Sequence, residues 1–94
     1  MEIIVNWGLI KSEKSFYEIF LSQVKAPDWH GHNLDALADS IISGDINAVE
    51  PPYTIKSINT SKVRKEMKVF QTKVLSLFLE VTTEQKQIKL TVKK

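Results

Sequence analysis

Asp35 and Asp39 stand four residues apart in the run Asn33-Leu34-Asp35-Ala36-Leu37-Ala38-Asp39. On a helix this spacing sets two carboxylates about 40° apart around the axis and roughly 6 Å apart along it, on one face. Like charges so placed cost a helix roughly 0.2–0.5 kcal/mol, a local conflict that a cationic partner relieves. Asp35 falls in the first turn, where the helix dipole alone favours an acid; Asp39 lies beyond that effect. Just ahead of the helix, Trp29, His30 and His32 surround Gly31. Large rings in a loop suit contact with another molecule, although Trp29 would equally serve as a staple packed under the helix. His30, His32 and Asp28 offer imidazole and carboxylate ligands, but a lone His-x-His with no further clustered ligand is a weak metal signature. Neither a metal nor any other cofactor is expected.

Catalytic chemistry has little to work with. The chain has no Gly-x-Ser-x-Gly elbow, no phosphate-binding Gly-rich loop, no dinucleotide turn, and two histidines. His30 and Asp39 could form an acid/base pair, but without a recognisable nucleophile or pocket motif the chain reads as a binding protein and not an enzyme.

The elements that must position these residues follow from composition and periodicity. A chain of 94 residues, 43% of them hydrophobic, with three Gly and three Pro, reads as one folded domain spanning residues 1–94. With no cysteine, its stability must come from apolar packing. The start MEIIVNWGLI lacks a basic region and is too short an apolar stretch for a signal peptide or membrane span. A cytoplasmic protein without membrane contact is the expectation.

The net charge of +2 conceals an asymmetry. Residues 26–52 hold Asp28, Asp35, Asp39, Asp45 and Glu50 and no Lys or Arg, whereas residues 53–94 hold ten bases against Glu66, Glu80 and Glu84. A charge dipole is expected, with the paired aspartates in its acidic block.

Ile3-Ile4-Val5, a β-branched run ahead of Gly8, predicts a strand covered on both faces. Phe16, Ile19, Phe20 and Val24 recur at helical spacing behind Ser12 and Ser15, with Ser15 to Glu18 fitting a capping box. Asn33 is a good N-cap for a second helix whose core stripe is Leu34, Leu37 and Ile41 and which ends near Gly44. On that helix Ile42 lies between stripe and carboxylates, so the acids should be exposed beside apolar surface. Tyr53 to Ile58 predicts a strand of imperfect alternation. Asn59 to Ser61 offer helix caps, and Met67, Phe70, Val74, Leu77, Phe78 and Val81 predict a long helix over most of 62–82, broken near its start. Ile88, Leu90 and Val92 alternate with polar residues as a last strand with one polar face. This order argues for an α/β fold, a three-stranded parallel sheet packed with three to four helices and joined by right-handed crossovers.

Residues 27–39, PDWHGHNLDALAD, resemble the inhibitory segment of the barstar family, in which a proline, an acid, two aromatics and a glycine lead into an Asn-Leu-Asp-Ala-Leu helix start ending in aspartate. A second stretch, Val74 to Glu80 with Ile88 ten residues after Phe78, resembles that family's last helix and strand. The likeness spans nearly the whole chain and is strong in the second helix. It implies a ribonuclease inhibitor or immunity protein that binds a ribonuclease toxin one to one and does no chemistry. Carried over by position, Asp39 would be the central charge, Asp35 a second ion-pair partner, Asn33 a polar contact, Trp29 the ring against a catalytic histidine, and Glu80 an outlying acidic contact. His30 and Ile42 complete the expected partner-binding set. The sequence departs from the family pattern at Ala38, His32 and His30, where the family has a large aromatic, an acid and a tyrosine.

Two other readings are open. Lys62, Arg64, Lys65, Lys68 and Lys73 along the 62–82 helix could follow the phosphates of a nucleic acid, though a solvated helix face would look the same. A barstar-like scaffold could also bind a protein that is not a nuclease. Under the leading reading no direct nucleic-acid contact is expected.

Overall fold

The computed structural model describes residues 1–24, 33–43 and 52–94. Among these, β1 (Glu2–Asn6) leads to α1 (Glu13–Gln23) and α2 (Leu34–Ser43), followed by β2 (Tyr53–Ile58), α3 (Lys68–Glu84) and β3 (Ile88–Val92). Two short 3-10 turns, Thr60–Lys62 and Lys65–Met67, precede α3. Among the described residues no helix is long and apolar enough to cross a membrane.

The three strands form a parallel sheet in the order β1-β2-β3, with Ile3 opposite Ile55 and Ile55 opposite Leu90. Both crossovers step across the sheet in the same direction, and right-handed connections then put their helices on one face. Burial agrees. Ile3, Val5, Tyr53, Ile55, Ser57 and Ile88 are buried, while Ile4, Thr54, Lys56 and Ile58 are half-buried and Lys89 and Thr91 exposed. The expectation that the first strand is covered on both faces is therefore corrected: a sheet wound in one direction has one open face. On that face Lys56 pairs with Glu2 at 2.8 Å, and chiefly through this hydrogen bond the Glu2 carboxyl is held below its usual range.

At the outer edge of β1 the Gln23 side chain replaces a neighbouring strand. Its Oε1 accepts from the Ile4 N–H and its Nε2 donates to the Ile4 carbonyl, both at 2.7 Å. An amide thus satisfies backbone groups that would otherwise invite another chain to pair there.

The cap of α1 lies one turn earlier than its sequence pattern predicts. Ser12 is the N-cap, and Ser15 closes the box from the third helical position. Ser15 N–H donates to Ser12 Oγ at 3.1 Å, and Ser12 N–H to Ser15 Oγ at 3.0 Å. A serine hydroxyl here does what a Glu usually does. Phe16 then becomes the hub of an aromatic core, its ring centroid 6.2 Å from Trp7, 5.8 Å from Phe20, 5.4 Å from Phe70 and 6.5 Å from Phe78. Through these rings α1 and α3 lock together above the sheet.

The long last helix is shorter at its start than its periodicity predicts. Asn59 adopts a left-handed φ of 51°, and Val63 and Arg64 are extended. None of these is compatible with a continuous helix, and α3 begins at Lys68. The chain needs the break to turn off the end of β2, and Gln71 Nε2 secures it by donating to the Thr60 carbonyl at 2.9 Å.

Candidate functional site

The placement of α2 is set by its two ends and its buried stripe. Asn33 caps it: the Ala36 N–H donates to Asn33 Oδ1 at 2.8 Å, and the Leu37 N–H to the Asn33 carbonyl at 3.1 Å. Leu37 and Ile41 are fully buried, which fixes the rotation of the helix about its axis. Leu34, Ala38 and Ile42 then fall half-buried at the boundary, and Asp35 and Asp39 are exposed.

The helix packs against α3, and between them runs a groove of about 970 Å³. Asn33, Asp35, Asp39 and Ile42 line it from α2, and Lys73, Ser76 and Glu80 from α3. Five of the residues that the sequence singles out for partner contact therefore share one concave surface. Trp29 and His30, the other two, lie outside the described residues, as do His32 and the acids Asp28, Asp45 and Glu50.

Sequence reasoning missed part of the lining. Glu13 and Tyr17 enter the groove from α1, and Glu66 from the turn before α3. The Tyr17 hydroxyl has its pKa raised, first by burial and then by the nearby Glu13 charge. Glu13 belongs to the neutral N-terminal segment, and Glu66 and Glu80 to the basic half. Counting charge by segment therefore understates the groove, where among the described residues five carboxylates (Glu13, Asp35, Asp39, Glu66 and Glu80) face one lysine, Lys73. Only the folding of three segments against one another produces that concentration; no local signal marks Glu13 or Glu66.

The five bases expected along one helix over 62–82 are divided among several elements. Lys62 lies in the first 3-10 turn, Arg64 in an extended link and Lys65 in the second turn; of the five bases, α3 carries Lys68 and Lys73. Arg64 bonds Glu66 at 3.4 Å, and Lys73 lines the acidic groove. The break that redirects the chain after β2 leaves no continuous helix under all five bases.

Parallel sheets commonly bind ligands beyond the carboxyl ends of their strands. Here that end is closed by side chains. Trp7 Nε1 donates to the buried Ser57 Oγ at 2.9 Å, Ser57 Oγ lies 2.9 Å from Thr60 Oγ1, and Thr60 Oγ1 donates to the Lys93 carbonyl. Asn59 Nδ2 donates to Asn6 Oδ1 at 2.9 Å beside them. Ser57 in an inward position also accounts for the imperfect alternation of β2, since a polar group there serves the indole N–H.

The α2–α3 groove is thus an acidic, partly apolar surface. Compared with known protein families, residues 1–93 match the model described as Barstar (barnase inhibitor). The chain belongs to the barstar family. Family membership makes it a ribonuclease-inhibitor type of protein, and the three-stranded parallel sheet with three helices agrees with a barstar-like fold. No curated protein matches the chain. Within this barstar-family fold, the helix that resembles the inhibitory segment is the one that supplies Asp35 and Asp39 to the groove.

Proposed function

We propose that this chain inhibits a ribonuclease by placing the carboxylates of α2 in the enzyme's RNA-binding site, as an immunity protein against a ribonuclease toxin. The observation that carries the reading is the convergence of Asp35, Asp39, Asn33 and Ile42 on α2 with Glu80 on α3 along one groove. A ribonuclease active site holds cations for the phosphates of RNA, and carboxylates offer those cations the same charge. Hydrogen bonds from guanidinium groups to carboxylates are strong and directional once water is excluded. Half-buried Ile42 and Ala38 beside the acids supply apolar surface that helps exclude it.

In this reading Asp39 is the central charge, Asp35 the second ion-pair partner and Glu80 an outlying contact, with Trp29 and His30 against the catalytic centre. Binding is one to one and involves no covalent step. Because the whole chain is mildly basic, attraction must come from the groove's local field, which reaches about 8–10 Å at physiological ionic strength. Protecting the producing cell's own RNA places the protein in the cytoplasm.

The test is titration of the chain into an RNA-cleavage assay with barnase and a panel of small basic microbial ribonucleases. Stoichiometric inhibition of at least one, lost in D39A, is expected. Failure to inhibit any of them, or direct binding of the chain to RNA in a filter assay, overturns the reading.

A further inference from the structure

Lys73 lines the acidic groove from the second turn of α3, two helical turns before Glu80, a separation of about 10 Å along the axis. Its side chain is exposed. The ion pairs among the described residues are Glu2 with Lys56 and Arg64 with Glu66, so Lys73 shares a surface with five carboxylates and is bonded to none of them. A lysine ammonium is compact, strongly hydrated and carried on a flexible stem, which leaves it available to an incoming group.

For a partner that is cationic over its whole contact surface, this lysine is a penalty, because like charges brought together across an interface disfavour binding. We propose that Lys73 is a specificity-determining residue that pairs with a carboxylate on the ribonuclease surface facing α3. The groove then admits a nuclease whose basic site is bordered by an acid at that position and rejects one that is basic throughout. The inference rests on the reading that the groove receives a ribonuclease. The competing role for Lys73, to temper repulsion among the groove acids in the free chain, has the opposite consequence for binding: removing the charge would then make the groove a better trap for a cationic enzyme.

The sign of one measurement separates the two. Association and dissociation rates are measured for the wild-type chain, K73E and K73Q against each ribonuclease in the panel that the wild type inhibits. Far-UV circular dichroism checks that both variants fold, and K73Q carries the test if the charge reversal does not. The expected result is at least tenfold weaker binding by K73E and a smaller loss in K73Q, with the loss in the dissociation rate, although K73E makes the groove more negative. Binding by K73E that is as tight as wild type or tighter overturns the role of Lys73 and leaves the inhibitor reading intact, provided D39A still loses inhibition. If the wild type inhibits no ribonuclease in the panel, the reading and the inference fall together.

Discussion

Asp39 on α2 and Glu80 on α3 line the same groove from its two walls, though one lies in the acidic block of the chain and the other in the basic half. Each helix is held in place by buried apolar residues, Leu37 and Ile41 on α2 and Val74, Leu77, Phe78 and Val81 on α3. The helices that bear the carboxylates are therefore held in a packed framework, so binding has to order the side chains and not the backbone beneath them. This preorganisation makes their removal informative.

Asp39→Ala is expected to weaken ribonuclease binding by more than 2 kcal/mol, the scale of an interface hot spot, and Asp35→Ala by less. The barnase and barstar pair is itself the type case of such interfaces, so the magnitude is the family's expectation and not a result of the groove's geometry. Isothermal titration or inhibition kinetics measures both. A loss below about 0.5 kcal/mol for Asp39→Ala would remove it from the centre of the interface. Raising the salt concentration should slow wild-type association more than it changes dissociation.

Asn33 has two duties that substitution can separate. Its Oδ1 caps α2, so Asn33→Ala is expected to lower the stability of the free chain by about 1 kcal/mol in urea unfolding. Asn33→Ser keeps a cap while shortening the side chain offered to a partner. If Asn33→Ser leaves both stability and inhibition at wild-type values, the residue serves as a cap alone.

Ser57→Ala is expected to destabilise the fold by about 1–3 kcal/mol, because it leaves the buried Trp7 indole N–H without its acceptor. Denaturant unfolding followed by tryptophan fluorescence reads the loss. An unchanged midpoint would show that the indole finds another partner.

Tyr53 ties stability to alkaline pH. Its hydroxyl is buried, has no hydrogen-bond partner among the described residues, and has its pKa pushed up by burial to about 12. In the unfolded chain the phenol titrates near its ordinary value of about 10. Between these values the unfolded chain gives up the proton first and binds fewer protons than the native one, so stability is complete below about pH 10 and falls as pH rises toward 12. The fall is of order 2 kcal/mol, at about 1.4 kcal/mol per unit. Tyr53→Phe removes this component, so its stability relative to wild type should rise across that window. A pH-independent difference between the two proteins would contradict the assignment.

Much of the architecture was legible from local pattern. The short apolar run Ile3-Ile4-Val5, the Asn33 cap ahead of Leu37 and Ile41, and the alternation of Ile88, Leu90 and Val92 each specify an element from neighbouring residues alone, because backbone periodicity and capping are short-range effects. Where sequence reading slipped, longer-range demands had intervened. Ser57 looked like a fault in the β2 pattern until its partner, Trp7, was in place. The break expected near the start of the 62–82 helix is present, but apolar spacing does not register how far it extends, and the turn that Asn59, Val63 and Arg64 make delays α3 until Lys68.

The candidate site divides along the same line. The sequence by itself determined that Asp35 and Asp39 share a helix face, since four residues of α-helix allow little else, and the family resemblance pointed to Asn33, Ile42 and Glu80. Only the tertiary structure decided that these residues line one groove and that Glu13, Glu66 and Lys73 join them. It also decided that the bases from 62 to 73 do not lie on one helix. The physical reason is that these relationships depend on how α1 and α2 seat against α3, and that seating is set by the burial of Phe16, Leu37, Ile41 and Phe78, not by any property of the charged residues themselves.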